Sequence, residues 1–184
     1  GSPDGLNSLY DIDKLQFSND SQIYLTEYYA EKVGEGSSSD TISGTDLDDL
    51  IDGFGGSDII SGLGGDDTLI GGDGDDTISG GSGTNTIYGD AGDDNITSSG
   101  SDTVYAGDGN NSILITSTAT GGTYSSGSGN DSYTIKTGAT GQYYLSTTNG
   151  SNNFVIESGV SSEITITAST NGDNSIRSDS KVSW

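Results

Sequence analysis

Between residues 40 and 111 an aspartate or asparagine returns every nine residues, with one step shortened by a residue: Asp40, Asp49, Asp58, Asp67, Asp76, Asn85, Asp94, Asp102 and Asn111. Two chemistries suit such a lattice of carboxylates. A pair could share acid and base roles in glycoside hydrolysis, but that needs one carboxyl with a raised pKa in a cleft. Alternatively, ionised oxygens repeated beside glycines suit a hard cation, and calcium takes six to eight oxygens from carboxylates and carbonyls. The chain has no His and no Cys. That removes thiolate sites, most zinc sites and the usual general base. No Ser-His-Asp, Cys-His or His-Glu-x-x-His constellation can be built, and the chain reads as non-catalytic.

The lattice fixes what must carry it. Units such as "GGDGDDTIS" (71–79) begin at Glu35, Gly44, Gly53, Gly62, Gly71, Gly80 and Gly89, and a further unit spans 106–114. The fourth position is Gly from Gly56 to Gly109, and the eighth is aliphatic: Ile42, Ile51, Ile60, Leu69, Ile78, Ile87, Ile96, Val104 and Ile113. Glycines permit positive φ in a tight loop and let main-chain oxygens approach an ion. The three residues after each loop make a short strand whose centre points inward. Two units then close one turn of about 18 residues, and stacked turns give two parallel sheets around an aliphatic ladder. Loops on one edge pair Asp40 with Asp58, Asp58 with Asp76 and Asp76 with Asp94. On the other edge Asp49 meets Asp67, Asp67 meets Asn85 and Asn85 meets Asp102. One loop offers too few oxygens, so an ion is expected between two stacked loops. The expected ligands are these side chains, Asn111 and Asp131, with carbonyls from Gly53, Gly55, Gly62, Gly64, Gly71 and Gly80. The remaining loop acids, among them Asp48, Asp66, Asp75 and Asp93, read as charged loop surface.

The pattern G-G-x-G-x-D-x-U-x, matched at every defined position by "GGDGDDTIS", resembles the RTX (repeats-in-toxin) calcium-binding repeat. The resemblance covers roughly residues 35–114. It implies an all-β fold, a right-handed parallel β-roll, here continuing into a parallel β-helix-like coil. It also implies several Ca²⁺ ions shared between stacked loops. By the same resemblance, such proteins leave Gram-negative bacteria unfolded through a type I exporter and fold on external calcium. The repeat modules of alginate epimerases and of RTX adhesins share this architecture.

Outside the repeat the organisation changes. Residues 1–34 are not repetitive, and "YDIDKLQFSNDSQIYLTEYYAE" predicts two short strands about Asn19-Asp20 that cap the first rung. Residues 115–184 form a longer-rung coil with a C-terminal cap. There Asn111, Asp131, Asn152 and Asn174 follow at steps of 20, 21 and 22 residues, each with Ile113, Tyr133, Phe154 or Ile176 two places on. Each rung keeps one motif loop and gains one ordinary turn, as in "TATGG" and "TGATG". The acid fades to Asn, whose stacked amides can bond without an ion, so calcium is expected to thin out toward the C-terminus.

Charge and composition bound the partners. The chain has 28 acidic residues against 5 basic ones, a net charge of −23, and 28% hydrophobic residues. Such a composition leaves a chain disordered unless something offsets its entropy and self-repulsion. No Lys or Arg falls between 35 and 109. Nucleic acid and anionic membranes are therefore excluded as partners, and no apolar run reaches membrane-spanning length. Tyr88 and Tyr105, at the ninth position, are expected to face outward, where they are either ordinary stacking along the coil, a strip covered by another domain, or a platform for sugar rings. Tyr124 is either the third member of that row or a core residue. Three roles compete: a module assisting binding to an extracellular polysaccharide such as alginate, a calcium-locked spacer of a large adhesin or surface protein, and the C-terminal part of a secreted enzyme or toxin. All three place it on the cell surface or outside the cell, beside other domains of a longer parent chain.

Overall fold

A computed structural model of the chain describes residues 14–16, 22–24, 31–34, 36–160 and 162–178. Strands β1 (Lys14–Gln16) and β2 (Gln22–Tyr24) pair antiparallel, with Leu15 opposite Ile23. The expected turn at Asn19-Asp20, the capping of the first rung and the C-terminal cap fall on residues outside those described.

Sixteen strands then alternate between two sheets. They are β3 (Glu31–Val33), β4 (Thr41–Ser43), β5 (Leu50–Asp52), β6 (Ile59–Ser61), β7 (Thr68–Asp73), β8 (Thr77–Ser79), β9 (Thr86–Ala91) and β10 (Asn95–Ser98). They continue as β11 (Ser101–Tyr105), β12 (Ser112–Ile115), β13 (Gly121–Ser126), β14 (Ser132–Ile135), β15 (Gln142–Thr147), β16 (Asn153–Ile156), β17 (Glu163–Thr167) and β18 (Ser175–Ser178). Even-numbered strands from β4 to β18 form one parallel eight-stranded sheet, and odd-numbered strands from β3 to β17 form the other. The result is a parallel β-solenoid, as the nine-residue period predicts. Among the described residues there is no helix, and so none long and apolar enough to cross a membrane.

Period-two alternation in three-residue strands buries only the central side chain. Ile60, Ile78, Ile96 and Ile113 stack in register down one sheet. Ile51, Leu69, Ile87 and Val104 do so down the other. From β12 to β16 four strands each bury two core positions: Ile113 with Ile115 on β12, Tyr133 with Ile135 on β14, Tyr143 with Leu145 on β15 and Phe154 with Ile156 on β16. This longer rung is the structural form of the 20 to 22 residue spacing. Its wider interior is filled by Tyr124, Tyr133, Tyr143 and Phe154, all fully buried, with the Tyr133 and Phe154 rings stacked at 5.0 Å.

Candidate metal centre

The recurrent aspartates point inward at the bends between strands. Asp49, Asp58, Asp67, Asp76 and Asp94 are 1–2% exposed and Asp102 is fully enclosed. A hydrogen bond joins each to the loop one turn away. On one edge the main-chain N–H of Asp40 donates to Oδ1 of Asp58 (2.7 Å), that of Asp58 to Asp76 (2.7 Å), that of Asp76 to Asp94 (2.9 Å) and that of Asp94 to Asn111 (3.0 Å). On the other, the N–H groups of Asp49, Asp67 and Asn85 donate to Asp67, Asn85 and Asp102, each at 2.9 Å. These are the pairings that the repeat period predicts. The first edge continues with the N–H groups of Asn111, Asp131 and Asn152 donating to Asp131, Asn152 and Asn174.

A second ladder runs in the opposite sense at the fifth position. There each side chain reaches forward to an N–H of the following turn. Asp48 accepts from Asp66 (2.7 Å), Asp66 from Thr84 (2.7 Å), Asp75 from Asp93 (2.8 Å) and Asp93 from Asn110 (2.7 Å). These acids are therefore turn-locking acceptors, beyond the charged loop surface expected of them. The signal lay in the column Ser39, Asp48, Ser57, Asp66, Asp75, Thr84, Asp93 and Asn110, which holds only short side chains with an acceptor oxygen.

Oδ1 of each sixth-position aspartate from Asp58 to Asp131 is thus used by the fold; Oδ2 divides them. In Asp58, Asp67, Asp76 and Asp94, Oδ2 is buried without a hydrogen-bond donor. A Cβ added at Gly53, Gly62, Gly71 or Gly89 would collide with that oxygen, and equally with the main-chain oxygen of Gly71, Gly80, Gly89 or Ala106 on the next turn. Carboxylate and carbonyl oxygens therefore converge where only glycine leaves room. Oxygens facing each other in a dry space repel unless a cation lies between them, and a buried unpaired charge costs several kcal/mol. Burial pushes the Asp67 carboxyl up to about 6 and Asp94 to about 7, against the lowering effect of the N–H groups of Asp49 and Asp76. Burial raises Asp76 likewise. Among the described residues no three His, Cys, Asp or Glu side chains gather into one cluster. The donor set is instead one carboxylate per loop with main-chain oxygens around it, which fits calcium and not zinc.

The other expected ligands are placed differently. Gly55 and Gly64 form isolated parallel bridges to Asp73 and Ser82. Asp49 accepts from the N–H (2.5 Å) and hydroxyl (3.1 Å) of Thr45. Asp102 accepts from the Ser98 hydroxyl at 2.6 Å, and Asp131 from the Ser126 hydroxyl at 2.5 Å. Asn85 turns its amide on Asp102 (3.1 Å), and Asn111 donates to the carbonyls of Gly107 (3.1 Å) and Gly109 (3.4 Å).

The tyrosine row is shorter than one alternative allowed. Tyr88 and Tyr105 stack on the outer face, centroids 5.1 Å apart, and Tyr105 is 45% exposed. Tyr124 is a correction to the sugar-platform reading. It pairs in register with Val104 at the core position of β13, is fully buried, and shares a 2.8 Å hydrogen bond with Ser98. Tyr144, on β15, is the exposed aromatic there.

Stacked glycine loops, inward carboxylates on both edges and a parallel solenoid between them define a calcium-binding β-roll. The RTX calcium-binding nonapeptide repeat matches residues 36–69, 61–96 and 96–114 in four copies. The match spans residues 36–114, and the repeat it describes is a calcium-binding one. No curated protein and no solved structure matches the chain.

Proposed function

We propose that this chain is a non-catalytic, calcium-locked module of a secreted protein, unfolded where calcium is scarce and folded outside the cell. The observation that carries the reading is the set of four buried carboxylate oxygens without donors, at Asp58, Asp67, Asp76 and Asp94. Calcium bound there supplies the positive charge these oxygens lack. At free calcium ten times the dissociation constant, each site adds roughly 1.4 kcal/mol. Several sites turn a chain of this charge from unfolded to folded, and extracellular modules bind at about 10⁻⁴ to 10⁻³ M. Circular dichroism in excess chelator and in millimolar calcium tests this. The cooperative melt of the roll should appear only with calcium, and the same melt in both conditions sinks the reading.

A second reading is contact with an extracellular polysaccharide, favoured by the outer face of the odd-numbered sheet. Tyr105 and Tyr144 stand exposed there, and beside Tyr144 a depression of about 350 Å³ is lined by Ser101, Thr123 and Gln142. Hydroxyls, an amide and an aromatic face suit neutral sugar rings. A polyuronate such as alginate would need bridging cations against a net charge of −23. Calorimetry against neutral and uronate glycans in millimolar calcium tests it, with Tyr105→Ala and Tyr144→Ala expected to abolish binding. Silence across the panel leaves the spacer role.

A further inference from the structure

The sixth-position side chains fall into two groups. Four aspartates, Asp58, Asp67, Asp76 and Asp94, all in the roll, keep an oxygen without a donor, while others, Asp49 and Asn85 in the roll among them, are held by the protein's own groups. From Asp102 onward the equivalent position is closed by the protein itself. Ser98 donates to Asp102, and Ser126 donates to Asp131. The Asn111 amide holds two loop carbonyls, and the Asn152 amide reaches Thr147 Oγ1 (3.1 Å), the carbonyls of Asn149 and Gly150 (3.2 Å each) and Asn174 (3.0 Å). The Asn174 amide donates to the Ser169 carbonyl at 2.7 Å. The serine donors are buried and fixed in turn, Ser98 by the Tyr124 hydroxyl and Ser126 by the Tyr133 hydroxyl at 2.9 Å.

We infer that these hydroxyls and amides stand in for the metal, so that the rungs from β11 to β18 fold without calcium. They then provide the preformed end on which the calcium-dependent rungs stack. This rests on the calcium reading of the roll and extends it to where the ions stop. The core supports it independently. Strands β12, β14, β15 and β16 each bury two core side chains, and β13 buries Tyr124, so that four aromatics fill these rungs where most roll strands bury a single aliphatic one. Aromatics bury about 150–250 Å² each, so the apolar driving force per rung is far larger where no ion is needed. Beyond Asp102 the opposite edge has no sixth-position carboxylate, and its Glu157 is paired with Lys136 at 2.6 Å. It turns instead through Thr116–Ala119 and Lys136–Ala139, each closed by a main-chain hydrogen bond of 3.1–3.2 Å with a buried alanine.

Hydrogen exchange read by mass spectrometry on the full chain tests this. In excess chelator, amides of β13 to β16 should stay protected about a hundredfold or more while those of β5 to β8 exchange at the unfolded rate; millimolar calcium should protect both. Protection lost throughout in chelator overturns the inference and leaves the calcium reading standing. Protection kept throughout removes the calcium reading itself. Ser126→Ala strips Oδ2 of Asp131 of its donor and gives it the state of Asp76, so protection of β13 to β16 should become calcium-dependent in that variant. A Ser126→Ala protein that exchanges like the parent in chelator also overturns the inference.

Discussion

The main-chain N–H of Asp76 donates to Oδ1 of Asp94 one turn further on, at 2.9 Å, while Oδ2 of Asp94 meets no donor. One carboxylate therefore does two jobs: its first oxygen locks adjacent turns, and its second awaits a cation. Asparagine at the same position keeps the first job and changes the second, as Asn111 demonstrates by accepting from Asp94 and donating to the Gly107 and Gly109 carbonyls. Asp76→Asn should accordingly lose one calcium equivalent in titration calorimetry. It should also stabilise the calcium-free chain by about 1–3 kcal/mol, since a buried charge is replaced by a bonded amide. In chelator the amides of β5 to β8 in this variant should exchange more slowly than in the parent, and no slowing would contradict this account.

The calcium-free chain should also respond to acid. Burial lifts Asp67 to about 6 and Asp94 to about 7 from the ordinary 3.8. The folded form then holds these protons more tightly than the unfolded chain, so protonation favours folding. That stabilisation is fully present below about pH 4 and lost as the pH rises through 6 to 7. Protein stripped of divalent ions should be more resistant to urea at pH 5 than at pH 8. In saturating calcium the order should reverse, because protons and the ion compete for the same oxygens. Parallel urea midpoints in both conditions would exclude these groups as the cause.

Most of the roll was legible because its period is short and each column has one physical duty. Isoleucine every nine residues fixes the strand centres. Aspartate two places earlier then falls at the bend, and glycine marks where a Cβ would strike the next turn. The edge pairings, Asp58 with Asp76 and Asp67 with Asn85, follow from the period alone. What was hidden depends on contacts between different columns. Ser98 is unremarkable until the Tyr124 ring enters the core beside it, and the fate of Tyr124 turns on a register that lengthens after Tyr105. The fifth-position ladder was hidden for another reason: Asp, Ser, Thr and Asn look dissimilar as charges but are alike as acceptors.

Two glycines distinguish stacking from simple backbone freedom. Gly74 has φ of 133°, and a Cβ there would strike the carbonyl of Gly56 on the turn below. Gly36 has φ of 61° with open space around it. Gly36→Ala should cost about 1 kcal/mol, the left-handed penalty alone. Gly74→Ala should cost about 3 kcal/mol or more, because the rigid neighbouring main chain must move. Calcium-saturated thermal melts of the two variants compare them directly. Equal losses would mean that the turns do not stack as closely as the carbonyl column requires.

The end of the solenoid that needs no ion rests on its aromatic core. Phe154 is fully buried and its ring lies on Tyr133 at 5.0 Å and 14°. Tyr133 in turn holds Ser126, the donor to Asp131. Truncating Phe154 to Ala removes a large core side chain and loosens the ring that positions that hydroxyl, at a cost of about 3–5 kcal/mol. Tyr133→Phe keeps the stack and removes only the hydrogen bonds to Ser126 and the Ser146 carbonyl, at about 1 kcal/mol. Both losses should be visible in chelator, where the later rungs stand alone. Calcium should then restore little of the Phe154→Ala loss, because the damage is to packing and not to charge. Full restoration by calcium would mean that the later rungs depend on the same ions as the roll, and that their aromatic core is not what holds them.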